Sequence, residues 1–140
     1  METTVQTFLP YADFAACAAT LDRQRLGKQR VECLQIINAL TNPDAKGWVN
    51  HPATRMWRDH LPVLAAYCVA MCDRWIACGY KDTIRDRVLP LADFDAPMPS
   101  FIGDEAFHSS HRSNLLRKAP EHYKQFGWTD DPNAEYVWPF

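Results

Sequence analysis

Apolar side chains recur every three or four residues along two long stretches of the chain. In the second stretch they run from Trp57 through Leu64 and Met71 to Trp75. This period places them on one face of an α-helix, whereas the alternation typical of a β-strand is nearly absent from the sequence. The pattern therefore predicts an all-α protein, a single compact helical domain that spans residues 1–140.

Proline and glycine set the expected helix boundaries. Pro43 ends the helix of the first apolar stretch, Pro52 suits the first turn of the next helix, and Gly79 closes that helix. The expected helices are 22–40, 52–79 with a kink or split near Pro62, 104–118, and shorter ones around 11–20, 83–89 and 121–126.

The composition of the chain indicates the cellular compartment in which the protein is expected. Hydrophobic residues make up 47% of the chain, yet charges interrupt it before any run reaches the roughly 18 apolar residues of a membrane span. The N-terminus lacks the basic and apolar regions of a secretory signal. The five cysteines are odd in number and lie among apolar residues, as buried free thiols do. We therefore expect a monomer in the cytoplasm that does not contact a membrane.

The segment LDRQRLGKQRVECLQ, residues 21–35, concentrates positive charge in a chain whose net charge is only −2. Arg25, Lys28, Gln29 and Glu32 share one face of the expected helix, opposite its apolar side. Since Lys28 and Glu32 are four residues apart, one interpretation is a solvated ion pair. The other is an anion-binding surface, because clustered cations repel one another unless an anion such as nucleic-acid phosphate lies against them. The four cations of this cluster are Arg23, Arg25, Lys28 and Arg30.

A second basic segment, FHSSHRSNLLRK, covers residues 107–118. Hydroxyl, amide and basic side chains of this kind contact phosphates. An alternative is a metal site, because His108 and His111 are three residues apart on one helix face and acidic residues precede them. No further cysteine or histidine pair supports that site, so we expect no metal and no other cofactor. The candidate DNA-binding residues of this segment are His108, His111, Arg112, Arg117 and Lys118.

Five motifs cover most of the chain. They are TFLPYADF at 7–14, LDRQRLGKQRVE at 21–32, HPATRMW at 51–57, FHSSHRSNLLRKAPEHY at 107–123 and YVWP at 136–139. With these motifs the chain resembles the pyrimidine-dimer DNA glycosylase family, the small all-α endonuclease V type typified by a phage enzyme, and above all a bacterial branch of that family. The resemblance implies a compact helical fold and an enzyme that acts on duplex DNA.

In that family an N-terminal α-amine attacks the sugar of the damaged nucleotide, a helix glutamate manages the proton and charge chemistry, and arginines and lysines clamp a kinked duplex. The resemblance implies that Glu32 is this glutamate. Val31 stands where the family typically has an arginine directly before it. The clamp implied by the resemblance comprises Arg112 with Arg117 or Lys118, and Arg25 or Arg30 beside the acid.

The sequence is compatible with three different nucleophiles. Glu2 keeps the initiator methionine in place, so an N-terminal amine would be that of Met1. Lys28 lies one turn before Glu32, and a lysine amine near other cations can act as a free base and form a Schiff base. The third alternative is a water that Glu32 activates, which would give a glycosylase without strand cleavage.

The leading hypothesis is a DNA glycosylase, with or without AP-lyase activity, that removes a damaged or modified base from double-stranded DNA in base excision repair. Such an enzyme must take the nucleotide out of the stack. One alternative is a catalytically silent DNA-binding module in which Glu32 pairs with Lys28, and the other is a metal-dependent enzyme that uses His108 and His111. The candidates to stack on an extruded base are Tyr11, Trp48, Trp57, His60 and Trp128.

Overall fold

The computed structural model describes residues 6–42 and 51–140. Within these two ranges all regular structure is helical, which confirms the all-α prediction. The helices are α1 (Phe14–Thr20), α2 (Arg23–Thr41), α3 (Pro52–Trp57), α4 (Leu61–Ala77), α5 (Arg85–Val88), α6 (Glu105–Lys118) and α7 (Pro120–Tyr123), with 3₁₀ turns at Leu89–Leu91 and Lys124–Phe126. In the described ranges, no helix combines the length and the apolar character that crossing a membrane would require.

The long helices begin where the sequence places their caps. α2 follows Asp22, whose Oδ2 accepts a hydrogen bond from the Arg25 backbone N–H at 3.4 Å. The stretch 52–79 is split into α3 and α4, which confirms the split, rather than the kink, of the two alternatives expected near Pro62. Asp59 lies between the two helices with a φ of 74°, and Pro62 occupies the first turn of α4. The helix breaks here because the left-handed backbone of Asp59 cannot continue α3, and Pro62 favours the start of a new helix.

The core forms around α4, which packs against α1, α2 and α5. Leu64 and Tyr67 of α4 have no exposed surface. Trp57, at the end of α3, is also fully buried, and its Nε1 donates a hydrogen bond to Thr7 Oγ1 at 2.8 Å. Trp57 is therefore a core residue, and the expectation that it stacks on an extruded base is wrong. Trp48 lies outside the described residues.

α2 and α4 approach each other closely at Gly27. A Cβ atom at this position would lie 2.9 Å from Cη2 of Trp75 on α4, closer than Cβ contacts in real proteins. The indole is fixed by stacking on Tyr80, with ring centroids 4.4 Å apart, and by its Nε1 donating to the Lys81 carbonyl at 2.8 Å. The absence of a side chain at Gly27 therefore lets Trp75 cover this face of α2.

Four of the five cysteines are buried free thiols, as expected from their apolar surroundings: Cys17, Cys33, Cys68 and Cys72. Burial raises the pKa of Cys17 to about 12, which keeps this thiol neutral. Cys78 is exposed, contrary to the expectation, because it lies at the C-terminal cap of α4, beyond the buried turns.

Candidate active site

The N-terminal segment is fastened to α2 by a buried hydrogen-bond cluster around Gln29. The Gln29 Nε2 donates to the Gln6 carbonyl at 2.7 Å, and its Oε1 accepts from the Phe8 backbone N–H at 2.7 Å. The Tyr67 hydroxyl donates to the same Oε1 at 2.9 Å. Only 1% of Gln29 is exposed, so the expectation that it lies on the outer cationic face is wrong. Its amide instead holds Phe8 against α2.

An open pocket lies where this segment, α2 and the end of α6 meet. Gln24, Lys28 and Glu32 follow one another at four-residue steps and so form a row along α2. Phe8 and Gln24 were not among the predicted site residues, although the four-residue step from Lys28 could have identified Gln24. The residues that line the pocket are Phe8, Gln24, Arg25, Lys28, Glu32 and Lys118.

Glu32 is half-buried in this pocket. Burial raises the pKa of its carboxyl group, while the charges of Lys28 and Lys118 act in the opposite direction. None of the ion pairs among the described residues includes Glu32, so the solvated pair with Lys28 is not formed. A carboxyl group that is desolvated and lacks a direct ionic partner can exchange a proton at a higher pH than an ordinary glutamate.

Lys118, the last residue of α6, also lines the pocket. Its Nζ lies 5.7 Å from the ring centroids of both Phe8 and Tyr136. Burial lowers the pKa of Lys118, and the charges of Arg25 and Arg117 lower it further, whereas Glu32 raises it. The pocket therefore combines a carboxyl group of raised pKa with an amine of lowered pKa, and such pairs are frequent at catalytic sites.

Arg25 is positioned at the pocket by the carboxylate of Asp22, which Tyr123 holds in place by a hydrogen bond. Its Nη1 lies 3.3 Å from Asp22 Oδ1, and the Tyr123 hydroxyl donates to the same oxygen at 2.5 Å. The hydrogen bond from Tyr123 and the charge of Arg25 lower the pKa of Asp22 against the opposing effect of its burial. α7 therefore orients a cation at the pocket without lining the pocket itself.

The other two cations of the 21–35 segment lie on a different face of α2. Arg30 forms an ion pair with Asp82, and its guanidinium lies over the Trp75 ring at 4.5 Å. Arg23 lies over the Tyr80 ring at 5.9 Å. Neither residue lines the pocket. The structure thus divides the expected cluster, with Arg25 and Lys28 at the pocket and Arg23 and Arg30 against the Trp75 side.

His108 and His111 are buried on the inner face of α6. The His108 Nε2 accepts from the Gly103 backbone N–H at 2.9 Å, so its Nδ1 carries the proton and donates to the Leu9 carbonyl at 2.7 Å. The His111 Nδ1 accepts from the Leu9 backbone N–H at 2.9 Å. These histidines fasten the N-terminal segment to α6, which corrects both the metal-ligand and the DNA-contact interpretation of the pair. Among the described residues, no group of three potential metal ligands is present.

The buried His111 should make the protein less stable in acid. Burial lowers its pKa from 6.5 to about 3, so below pH 6.5 the unfolded state takes up a proton that the folded state does not. We expect its contribution to the free energy of unfolding to fall by about 1.4 kcal/mol per pH unit across this window. Urea unfolding of the protein and of His111→Gln at several pH values measures this effect. The variant should show the shallower pH dependence, and equal slopes would contradict the assignment.

Arg112 is engaged inside the protein. Its Nε donates to both carboxylate oxygens of Asp130 at 3.0 and 3.1 Å, its Nη1 donates to the Pro10 carbonyl at 2.7 Å, and it forms an ion pair with Glu105. Only 11% of its side chain is exposed. Arg112 therefore joins three segments of the chain, and its fork of donors does not face the pocket.

Arg117 is exposed and also bonds to the C-terminal segment. Its Nη1 donates to the carbonyl groups of Pro132 and Ala134 at 2.6 and 3.2 Å. It does not line the pocket, but its charge acts on Lys118.

The remaining candidates to stack on a base are partly exposed. The Trp128 Nε1 donates to the Tyr11 hydroxyl at 2.9 Å, and the Trp128 ring stacks on Tyr123 with centroids 5.7 Å apart. The His60 ring meets Phe101 edge-on at 6.2 Å. None of Tyr11, His60 and Trp128 lines the pocket. Met1 lies outside the described residues.

A family model described as pyrimidine dimer DNA glycosylase matches residues 5–88, which is more than half of the chain. The matched range contains Lys28 and Glu32 but ends before α6, and so before Lys118. No curated protein sequence and no solved structure has significant similarity to the chain.

Proposed function

The chain belongs to the pyrimidine dimer DNA glycosylase family, and from this premise we propose that it removes a damaged or modified base from duplex DNA, with Glu32 as the central catalytic residue. The observation that carries the proposal is the pocket itself. A half-buried carboxyl group of raised pKa lies there between Lys28 and Lys118, with Arg25 beside it. The carboxyl group and one of the lysines fall within the range that the family model matches.

The chemistry of base removal fits a carboxyl group in this setting. Breaking the bond between C1′ and the base leaves positive charge on the sugar and negative charge on the departing base. A nearby carboxylate stabilises the first charge, and in its protonated form it supplies a proton to the second. Burial raises the pKa of Glu32, which favours the protonated form that can supply this proton.

The cations around the pocket suit the DNA backbone. Arg25, Lys28 and Lys118 surround the acid, and phosphate contacts from such residues fix a duplex in register. Extruding a nucleotide from the stack costs a few kcal/mol, and contacts of this kind offset that cost. We propose that these three residues form the clamp, whereas Arg30 and Arg112 stabilise the fold.

This division predicts different effects of two charge-removing substitutions on DNA binding. Lys28→Gln should lower the slope of log K against log salt concentration by about one unit, because one phosphate contact is lost. Arg112→Gln should leave the slope unchanged and lower the melting temperature, because its partners Asp130 and Glu105 lose their cation. Fluorescence anisotropy titrations at several salt concentrations, with thermal melts of each variant, measure both. A slope that changes only in Arg112→Gln would reverse the assignment.

The direct test is base release. Duplexes that carry a thymine dimer or one of a panel of modified bases are incubated with the protein, and free base is measured, after photoreversal of the cyclobutane ring in the case of the dimer; strand cleavage is measured on these duplexes and on one with an abasic site. We expect release from at least one damaged duplex and none from undamaged DNA. If the protein binds duplexes with a normal salt dependence but releases no base from any of them, the catalytically silent DNA-binding module is the correct alternative.

A further inference from the structure

We propose that the ε-amine of Lys118 is the nucleophile of this pocket and forms a Schiff base with C1′ of the target nucleotide. The inference rests on the proposed glycosylase function and names the group that would give it AP-lyase activity. Lys118 is a different nucleophile from the two amines that the sequence suggests, those of Met1 and Lys28.

The placement of Lys118 is the first argument. α2 supplies Glu32 and the end of α6 supplies Lys118, so the two groups reach one pocket from different helices. A sugar bound in this pocket would therefore meet an amine and a carboxyl group that separate helices supply. Lys28 lies one turn from Glu32 on the same helix, and both therefore face such a sugar from the same wall.

The freedom of the Lys118 amine is the second argument. Within the described ranges, no ion pair includes Lys118. Its nitrogen lies over the rings of Phe8 and Tyr136, each at 5.7 Å, near the outer limit of a cation–π contact. The rings therefore place the amine over the pocket without neutralising its charge. Lys118 is only partly desolvated and keeps exposed surface, as a group that must reach bound DNA has to.

The charges around Lys118 agree with this role. An amine attacks only as the free base, and cations near a partly desolvated lysine increase the fraction of that form. Arg25 and Arg117 have this effect on Lys118, together with its burial. Arg25 is fixed by Asp22 and Tyr123, so the charge that acts on the amine is held in place.

The reaction balances without any oxidant or reductant. The lone pair of the neutral amine forms a bond to C1′, and the bond between C1′ and the base breaks, so the base leaves with the electron pair and takes up the proton of the protonated Glu32 carboxyl group. The attached nitrogen loses a proton to the Glu32 carboxylate. The C1′–O4′ bond then opens, O4′ takes the proton from Glu32, and a protonated imine remains. The Glu32 carboxylate then takes a C2′ proton, the bond between C3′ and the phosphate oxygen breaks so that the 3′ phosphate leaves, and water hydrolyses the imine to release the lysine.

Borohydride trapping tests the assignment on the full-length protein. Duplexes with a thymine dimer or with one abasic site are incubated with the protein and reduced, and the adduct is quantified and mapped by peptide mass spectrometry. We expect the adduct on Lys118 and a fall in its rate of formation on the order of 10³-fold in Lys118→Arg. That variant keeps the positive charge, so its DNA affinity should be unchanged. Lys124→Arg, at an exposed lysine that does not line the pocket, is the matched control and should trap at the parental rate.

The other outcomes each overturn the assignment in a distinguishable way. An adduct that maps to the α-amine of Met1 or to Lys28 would exclude Lys118 and leave the glycosylase proposal standing. Base release without any adduct would also exclude Lys118, because Glu32 would then activate water. Absence of both adduct and release on every duplex would overturn the proposed function itself. Mapping on the parental protein does not depend on how any variant folds.

Discussion

Replacing Glu32 with glutamine should slow base release by about 10² to 10⁴-fold, the usual contribution of a group that transfers protons in the transition state. Glutamine keeps the size of the side chain but cannot gain or lose a proton. DNA affinity should be retained or increase, because the substitution removes a negative charge from the pocket that we propose to bind DNA phosphates. Single-turnover release at saturating protein, together with a binding titration, separates the two effects.

The stability of Glu32→Gln provides an independent check. A carboxyl group whose folded-state pKa is raised stabilises the protein fully only below its unfolded pKa, and this contribution is lost as the pH rises through the raised value. At neutral pH the variant should therefore unfold at an equal or higher urea concentration than the parent. Glu121→Gln, an exposed carboxylate on α7, is the matched control and should change neither release nor binding. Full activity in Glu32→Gln would remove Glu32 from the mechanism.

Much of the fold could be predicted from the sequence because its signals are local. Apolar periodicity, the cap at Asp22 and the proline in the first turn of α4 each act within a few residues. Burial depends on distant partners and was harder to predict. Gln29 has the helical phase of the buried Leu26 and Cys33, and its amide is buried because Gln6, Phe8 and Tyr67 supply its hydrogen bonds.

The candidate site was predicted in part for the same reason. Lys28 and Glu32 are one helical turn apart, so the sequence alone placed them together. That Lys118 joins them depends on where the end of α6 lies relative to α2, which periodicity does not specify. His108 and Arg112 carry the residue types of a phosphate site, but their donors and acceptors are used by the N-terminal segment. The residue types of this segment therefore indicated which groups its side chains can bind, but not whether those side chains face the solvent or the protein interior.

Arg30→Met should lower the free energy of unfolding by about 3–5 kcal/mol, the cost of leaving one member of a buried ion pair without its partner. The Asp82 side chain is only 1% exposed, and that of Arg30 is 12% exposed. Asp82 also accepts from the backbone N–H groups of Ile84 and Arg85 at 3.1 and 2.7 Å, so the pair fixes the entry to α5. Methionine retains packing against Trp75 and removes the charge. Urea unfolding measures the effect.

The pH dependence and a matched variant make this prediction specific. Burial acts to raise the pKa of Asp82, but hydrogen bonds from Arg85 and Arg30 lower it below the ordinary aspartate value. The ionised carboxylate therefore stabilises the fold at pH values above the ordinary aspartate pKa, and this contribution is lost as the pH falls through the lowered pKa. Parent and Arg30→Met should therefore converge in stability at acidic pH. Arg23→Met, an exposed residue on the same helix, should change stability by no more than about 0.5 kcal/mol. An unchanged stability with a salt slope lowered by about one unit would instead place Arg30 on a DNA phosphate.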